Sequence, residues 1–106
     1  MLYYSTTDRS HKVSLKEAVL KGMPPDGGLY LPESSPVMPD KFFQDLPEMT
    51  FQSVSYEIAK ALLGGDVPSD VLQKIIVEAL NFETPLVAIS EKTKTLELFH
   101  GPTLVF

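Results

Sequence analysis

Apolar and polar positions alternate along the chain in a way that predicts a mixed fold. Leu2 to Tyr4 forms a short apolar run closed by Ser5-Thr6-Thr7-Asp8, the pattern of a strand entering a polar loop, with an edge position expected for it. Ser14-Leu15-Lys16-Glu17 is a capping box: the serine hydroxyl can accept from the Glu17 amide while the glutamate reaches back. A helix from Ser14 to Lys21 is therefore expected, with Leu15, Ala18 and Val19 as its apolar stripe and Gly22 as a left-handed C-cap. Pro24-Pro25-Asp26-Gly27-Gly28 reads as a tight turn that delivers the strand Leu29-Tyr30-Leu31. Proline and serine from Pro32 to Pro39 predict an irregular loop, followed by a short helix over Asp40 to Leu46 that stops at Pro47.

Two longer helices follow. Thr50 opens the first, in which Phe51, Val54, Ile58, Ala61 and Leu62 recur at helical spacing until Gly64-Gly65. Ser69 is placed to cap the second, with Val71, Leu72, Ile75, Ile76, Ala79 and Leu80 on one face and Asp70, Lys74 and Glu78 off it. The two apolar faces can pack on each other. After Pro85, Leu86 to Ile89 reads as a buried strand, Ser90 to Lys94 as a polar turn, and Thr95 to Phe99 as a last strand. The order of strand, helix, strand, two or three helices and two strands predicts an α/β or α+β class, helices packed on a small sheet, and an incomplete one.

Composition narrows the class. With 106 residues, 43% hydrophobic and 22% charged, the chain is one globular domain or part of one and too apolar for a disordered tail. A formal charge of -5 supplies no electrostatic footprint for nucleic acid or an acidic membrane. The absence of cysteine excludes disulfides and thiolate metal sites. The start, Met1-Leu2-Tyr3-Tyr4-Ser5, lacks a secretory signal, and no apolar run approaches a membrane span, so a cytoplasmic location is expected.

Two segments hold candidate chemistry. Leu98-Phe99-His100-Gly101-Pro102-Thr103 puts an imidazole, a glycine and a hydroxyl just after a strand, where α/β enzymes bind ligands. His100 could serve as base or hydrogen-bond donor, Gly101 could let a ligand approach the backbone, and Thr103 could cap a following helix; a plain strand-to-helix turn is the competing reading. Ser5, Thr6, Thr7, Arg9 and Ser10 offer donors enough for a phosphate, without the glycine-rich loop that would specify one. His11 reads as a solvated loop residue, and turn chemistry accounts for Asp26-Gly27-Gly28. Neither a carboxylate pair nor a metal-ligand cluster is evident.

Tyr4-Ser5-Thr6, Val13 to Gly22, Pro25-Asp26-Gly27-Gly28-Leu29-Tyr30-Leu31-Pro32-Glu33 and Leu98 to Phe106 together resemble the amino-terminal part of the threonine synthase family, from end to end of the chain. The resemblance implies membership of a larger fold type II pyridoxal-phosphate enzyme of the tryptophan-synthase-β-like class. Such an enzyme is a lyase that turns O-phosphohomoserine and water into threonine and phosphate. In the family, Glu-Leu-Phe-His-Gly-Pro-Thr leads to Phe-Lys-Asp, whose lysine anchors the cofactor, and here that lysine is expected just after Phe106. Residues 1–94 would be the amino-terminal domain and 95–106 the start of the cofactor-binding domain. Ser5, Thr6, His100, Gly101, Thr103 and Phe106 become the candidates for the rim of the substrate and cofactor site. The chain by itself is then expected to be inactive and to hold no covalent pyridoxal phosphate, its partner being the remainder of the same enzyme. The alternative is a free-standing α/β binding module without catalysis.

Overall fold

The structure, a computed structural model, describes residues 1–102. Strand β1 (Leu2–Ser5) is the middle of a three-stranded antiparallel sheet, flanked by β2 (Lys12–Ser14) and β3 (Tyr30–Pro32). Alternation along β1 turns Tyr3 and Ser5 inward and Leu2 outward. Tyr3 lies opposite Val13 of β2, so the two side chains share one face. They pack with Ala18 of helix α1 (Leu15–Lys21), bordered by Leu15, Tyr30 and Leu63. An edge position was expected for β1. It is central instead, because Lys12–Ser14 forms a strand whose single inward residue, Val13, is hidden between polar neighbours in the sequence.

Helix α1 is capped as its sequence requires. The Ser14 hydroxyl accepts from the Glu17 amide at 3.2 Å, and Gly22 closes the helix at φ 71° while donating to the Ala18 carbonyl. The Glu17 carboxylate pairs with Lys21 one turn on.

Helix α2 (Asp40–Asp45) runs into a 3₁₀ turn, Leu46–Glu48, that contains Pro47. Helix α3 (Phe51–Leu63) starts at Thr50, whose hydroxyl accepts from the Ser53 amide, and α4 (Ser69–Ala79) returns beside it. Gln52 at the start of α3 donates to the Leu80 carbonyl at the end of α4, so the pair is antiparallel. Ser69 was expected to cap α4. Pro68 takes the cap position and no side chain caps the helix, Ser69 being its first turn. The Tyr3 hydroxyl donates to the Leu62 carbonyl, and the Met1 ammonium pairs with Asp66 at 3.2 Å, which together tie the sheet to the end of α3.

The last elements are the hairpin strands β4 (Leu86–Ala88) and β5 (Lys94–Leu96). A buried strand was expected over Leu86 to Ile89, yet all of β4 is exposed because nothing among the described residues covers it. Helices and antiparallel strands thus combine as the α/β class predicts. The assembly is open: its radius of gyration is 16.4 Å, against about 13 Å for a compact domain of this length. Its accessible surface is 7994 Å², roughly a third above that of a folded monomer of this mass.

Candidate functional site

Ser5 is fully buried, an uncommon place for a hydroxyl unless it is bonded. Its Oγ donates to Asp26 Oδ1 at 2.8 Å and accepts from the Thr7 amide at 3.3 Å. The same Asp26 oxygen accepts from the Gly28 amide at 3.0 Å. Thr6 completes the join: its Oγ1 accepts from the Leu29 amide and its own amide donates to the Leu29 carbonyl, both at 2.9 Å. The hydroxyls of Ser5 and Thr6 therefore fasten the turn before β3 onto the end of β1. Both glycines of the turn have a geometric reason. Gly27 sits at φ 80°. A Cβ on Gly28 would lie 2.5 Å from Ser5 Oγ, 2.8 Å from Thr7 Oγ1 and 2.9 Å from Thr6 Oγ1. The Gly28 amide, then the Ser5 hydroxyl, hold the Asp26 carboxyl below its ordinary range.

Beyond Thr7 the chain turns back through Asp8, whose Oδ1 accepts from the Ser10 hydroxyl and amide, and these bonds lower the Asp8 carboxyl too. The Arg9 guanidinium lies over the Tyr4 ring, 5.2 Å from its centroid. His11, read from sequence as a solvated loop residue, is half-buried beside β2, and its Nε2 is enclosed without a hydrogen-bond partner.

The second segment leaves the β4–β5 hairpin. The Glu97 amide donates to the Pro85 carbonyl at 3.0 Å, and the Glu97 carboxylate meets His100 Nε2 at 2.7 Å. The imidazole also lies against the Phe99 ring at 4.6 Å. A carboxylate on one ring nitrogen fixes the orientation of the ring and leaves Nδ1 for other work. The sequence reading singled out His100 without its partner, although the i, i+3 spacing of Glu97 and His100 was available. Gly101 packs beside the Phe82 ring, where a Cβ would stand at an ordinary 3.5 Å; Phe82 in turn packs on Phe51 of α3. Thr103 and Phe106 lie outside the described residues.

No hydrogen bond or ion pair joins Ser5–Arg9 to Glu97–Pro102 among the described residues. A groove of 210 Å³ between α3 and α4, lined by Thr50, Gln52, Tyr56, Gln73 and Ile76 among others, contains none of these site candidates. The lysines do not fit pyridoxal phosphate, which needs a free amine facing an enclosed site. Lys12, Lys21 and Lys41 pair with Glu33, Glu17 and Asp45 at the surface, Lys60 lies over Tyr56, and Lys92 and Lys94 are exposed in the hairpin. Among the described residues there is no group of His, Asp and Glu that could hold a metal, and no helix long and apolar enough to cross a membrane.

Comparison with known proteins identifies the family. Residues 2–80 match the family model for the threonine synthase N terminus. The threonine synthase of Schizosaccharomyces pombe is 32% identical over 98% of this chain and 21% of its own length, and that of Escherichia coli is 30% identical over 100% and 25%. The crystal structure of the E. coli enzyme superposes with a TM-score of 0.85 at 29% identity, covering 97% of this chain and 24% of that one. Threonine synthase from Brucella melitensis, solved with pyridoxal phosphate bound, gives a TM-score of 0.83 at 32% identity over 98% and 24%. The chain spans about a quarter of the length of the relatives it matches, and by sequence and by fold it belongs to the amino-terminal family of threonine synthases.

Proposed function

We propose that this chain is the amino-terminal part of a cytoplasmic pyridoxal-phosphate lyase that converts O-phosphohomoserine and water into threonine and phosphate. One observation carries the reading. A solved threonine synthase superposes on 97% of this chain at a TM-score of 0.85. The pyridoxal phosphate bound in the Brucella relative supports the cofactor. Because the described lysines do not fit that cofactor, its anchor belongs to the remainder of the enzyme, the partner this chain requires.

The division we favour is 1–94 as amino-terminal domain and 95–106 as the start of the cofactor-binding domain. It cuts β5 after its first residue, so the two parts share the β4–β5 hairpin. Within this division His100, Gly101, Thr103 and Phe106 form the approach to the cofactor. Glu97 holds the His100 ring so that Nδ1 can accept or donate toward a substrate. Ser5 and Thr6 act one step back: their hydroxyls are occupied by Asp26 and Leu29, so they set the shape of the rim and do not bond the ligand. A rigid rim and a closed site raise the effective concentration of reacting groups and exclude water from all but the intended step.

The test is a graft. Residues 1–106 replace the matching quarter of the E. coli enzyme, and phosphate release from O-phosphohomoserine is measured with pyridoxal phosphate present. Turnover is expected, together with growth of a threonine auxotroph without threonine. A folded graft that carries cofactor but releases no phosphate would overturn the reading, and a reading frame that stops after Phe106 would favour a free-standing binding module.

A further inference from the structure

His100 sits in a loop whose two ends are held by one short segment, residues 80–85, which joins α4 to β4. At the near end the Glu97 amide donates to the Pro85 carbonyl at 3.0 Å. At the far end Gly101 packs against the Phe82 ring, where a Cβ would meet ring atoms at 3.5 to 3.7 Å. No backbone hydrogen bond fixes Gly101 among the described residues, so among them the ring contact holds this end. The joining segment is fixed in turn to the start of α3. Gln52 donates to the Leu80 carbonyl at 3.0 Å, and the Phe51 and Phe82 rings are tilted against each other with centroids 5.9 Å apart. Phe82 is half-buried between the exposed residues Asn81 and Glu83, and its ring bridges Phe51 and Gly101.

The direct hold on the imidazole is weaker. The Glu97 carboxylate meets His100 Nε2 at 2.7 Å, but the two side chains are 27% and 37% exposed, and water competes for a pair so placed. The Phe99 ring beside the imidazole is itself 54% exposed. Such a side chain is only as well positioned as the backbone that carries it. Resting on the reading of this chain as part of a threonine synthase, with His100 on the approach to the cofactor, we infer that Phe82 is a positioning residue for His100. Its ring, backed by Phe51, keeps the Gly101 end of the loop in place and with it the Glu97–His100 pair. Phe82 itself need touch neither substrate nor cofactor. The α3–α4 pair, which contains none of the site candidates, thereby sets the geometry of the segment that holds His100.

The graft into the E. coli enzyme tests this. Phe82→Ala is expected to lower kcat/KM for phosphate release about tenfold or more, because small displacements of a positioned group carry losses of that order. Phe82→Leu, which refills the space, recovers activity to within about threefold of the parent. Phe43→Ala, at an exposed ring of α2, leaves it unchanged. The decisive comparison is a double-mutant cycle with His100→Gln: once the imidazole is gone, Phe82→Ala is expected to cost less than about a further twofold. A larger further loss, or a Phe82→Ala enzyme as active as the parent, would overturn the inference and leave the functional reading standing. Should Phe82→Ala fail to fold, Phe82→Val takes its place in the cycle. A folded parent graft that carries cofactor but releases no phosphate sinks the functional reading instead, and the positioning role is then decided by nitrogen NMR of the graft with isotope-labelled histidine in alkaline buffer. Glu97 holds one tautomer of the ring, so the His100 nitrogens are expected to give two well-separated resonances. Phe82→Ala should draw them together and Phe43→Ala should not. Resonances unmoved by Phe82→Ala would overturn the positioning role.

Discussion

Gly28 sits where three hydroxyls converge, and the absence of a side chain there is what lets the turn reach β1. Gly28→Ala forces its methyl onto Ser5, Thr6 and Thr7 at 2.5 to 2.9 Å, and overpacking of this kind costs about 1–3 kcal/mol. Ser5→Ala removes the buried donor to Asp26 and is expected to cost roughly 1–2 kcal/mol. Gly65→Ala, with open space around it, should stay within about 0.5 kcal/mol of the parent; urea unfolding of the three variants checks the order. The same cluster sets an acid limit. Asp26 and Asp8 have carboxyls held below the ordinary value of 3.8, the first mainly by the Gly28 amide, the second mainly by the Ser10 hydroxyl. Glu33 is held below 4.5, first by the Leu2 amide and then by Lys12. A depressed carboxyl stabilises the fold fully above its unfolded value, and that contribution is lost as pH falls through the folded value. The unfolding midpoint should hold from neutrality to about pH 5 and fall progressively below it, and Asp26→Asn should be less stable at neutral pH with a shallower acid decline. Among these residues sequence identified Asp26-Gly27-Gly28 as a turn and Ser5 and Thr6 as candidates. That the hydroxyls and the turn hold each other was invisible, because about twenty residues separate them and only the β1–β3 register brings them together.

At the scale of elements, caps and breakers carried most of the information. Thr50 caps α3 through the Ser53 amide, so Thr50→Ala is expected to destabilise by about 1 kcal/mol. Ser69 makes no capping bond, so Ser69→Ala should change stability by no more than about 0.5 kcal/mol; a thermal melt of both separates a true cap from a serine that merely sits in the first turn of a helix. Helices were legible because a period near 3.6 is a local property of ten or more residues. Strands of three or four residues are not. Lys12–Ser14 shows a single inward residue, and its partner lies across a turn, so β2 went unread and β1 was assigned to an edge.

For the whole molecule the notable quantity is what stays uncovered: Leu20 on α1, Val77 on α4 and Leu86 in the hairpin are among many large apolar side chains left exposed. Open shape and surface lysines lead to one expectation. Adding pyridoxal phosphate and then borohydride to this chain should label no single lysine preferentially, because each described amine is at the surface and several are paired with carboxylates. Mass spectrometry of the digest reads this directly, and one stoichiometric adduct at a defined lysine would contradict it.

By itself the sequence determined the helices, the caps of α1 and α3, the glycine turn, the mixed class and the family, since these rest on local propensity and on motifs that are contiguous in the chain. Tertiary structure alone decided that β1 is central, that Ser5 and Thr6 are spent on holding Asp26 and Leu29, and that Glu97 clamps His100. It also left β4 and β5 bare. The physical reason is common to all of them: strand pairing, burial and hydrogen-bond partnership depend on which distant residue arrives, and a local stretch of sequence does not carry that information.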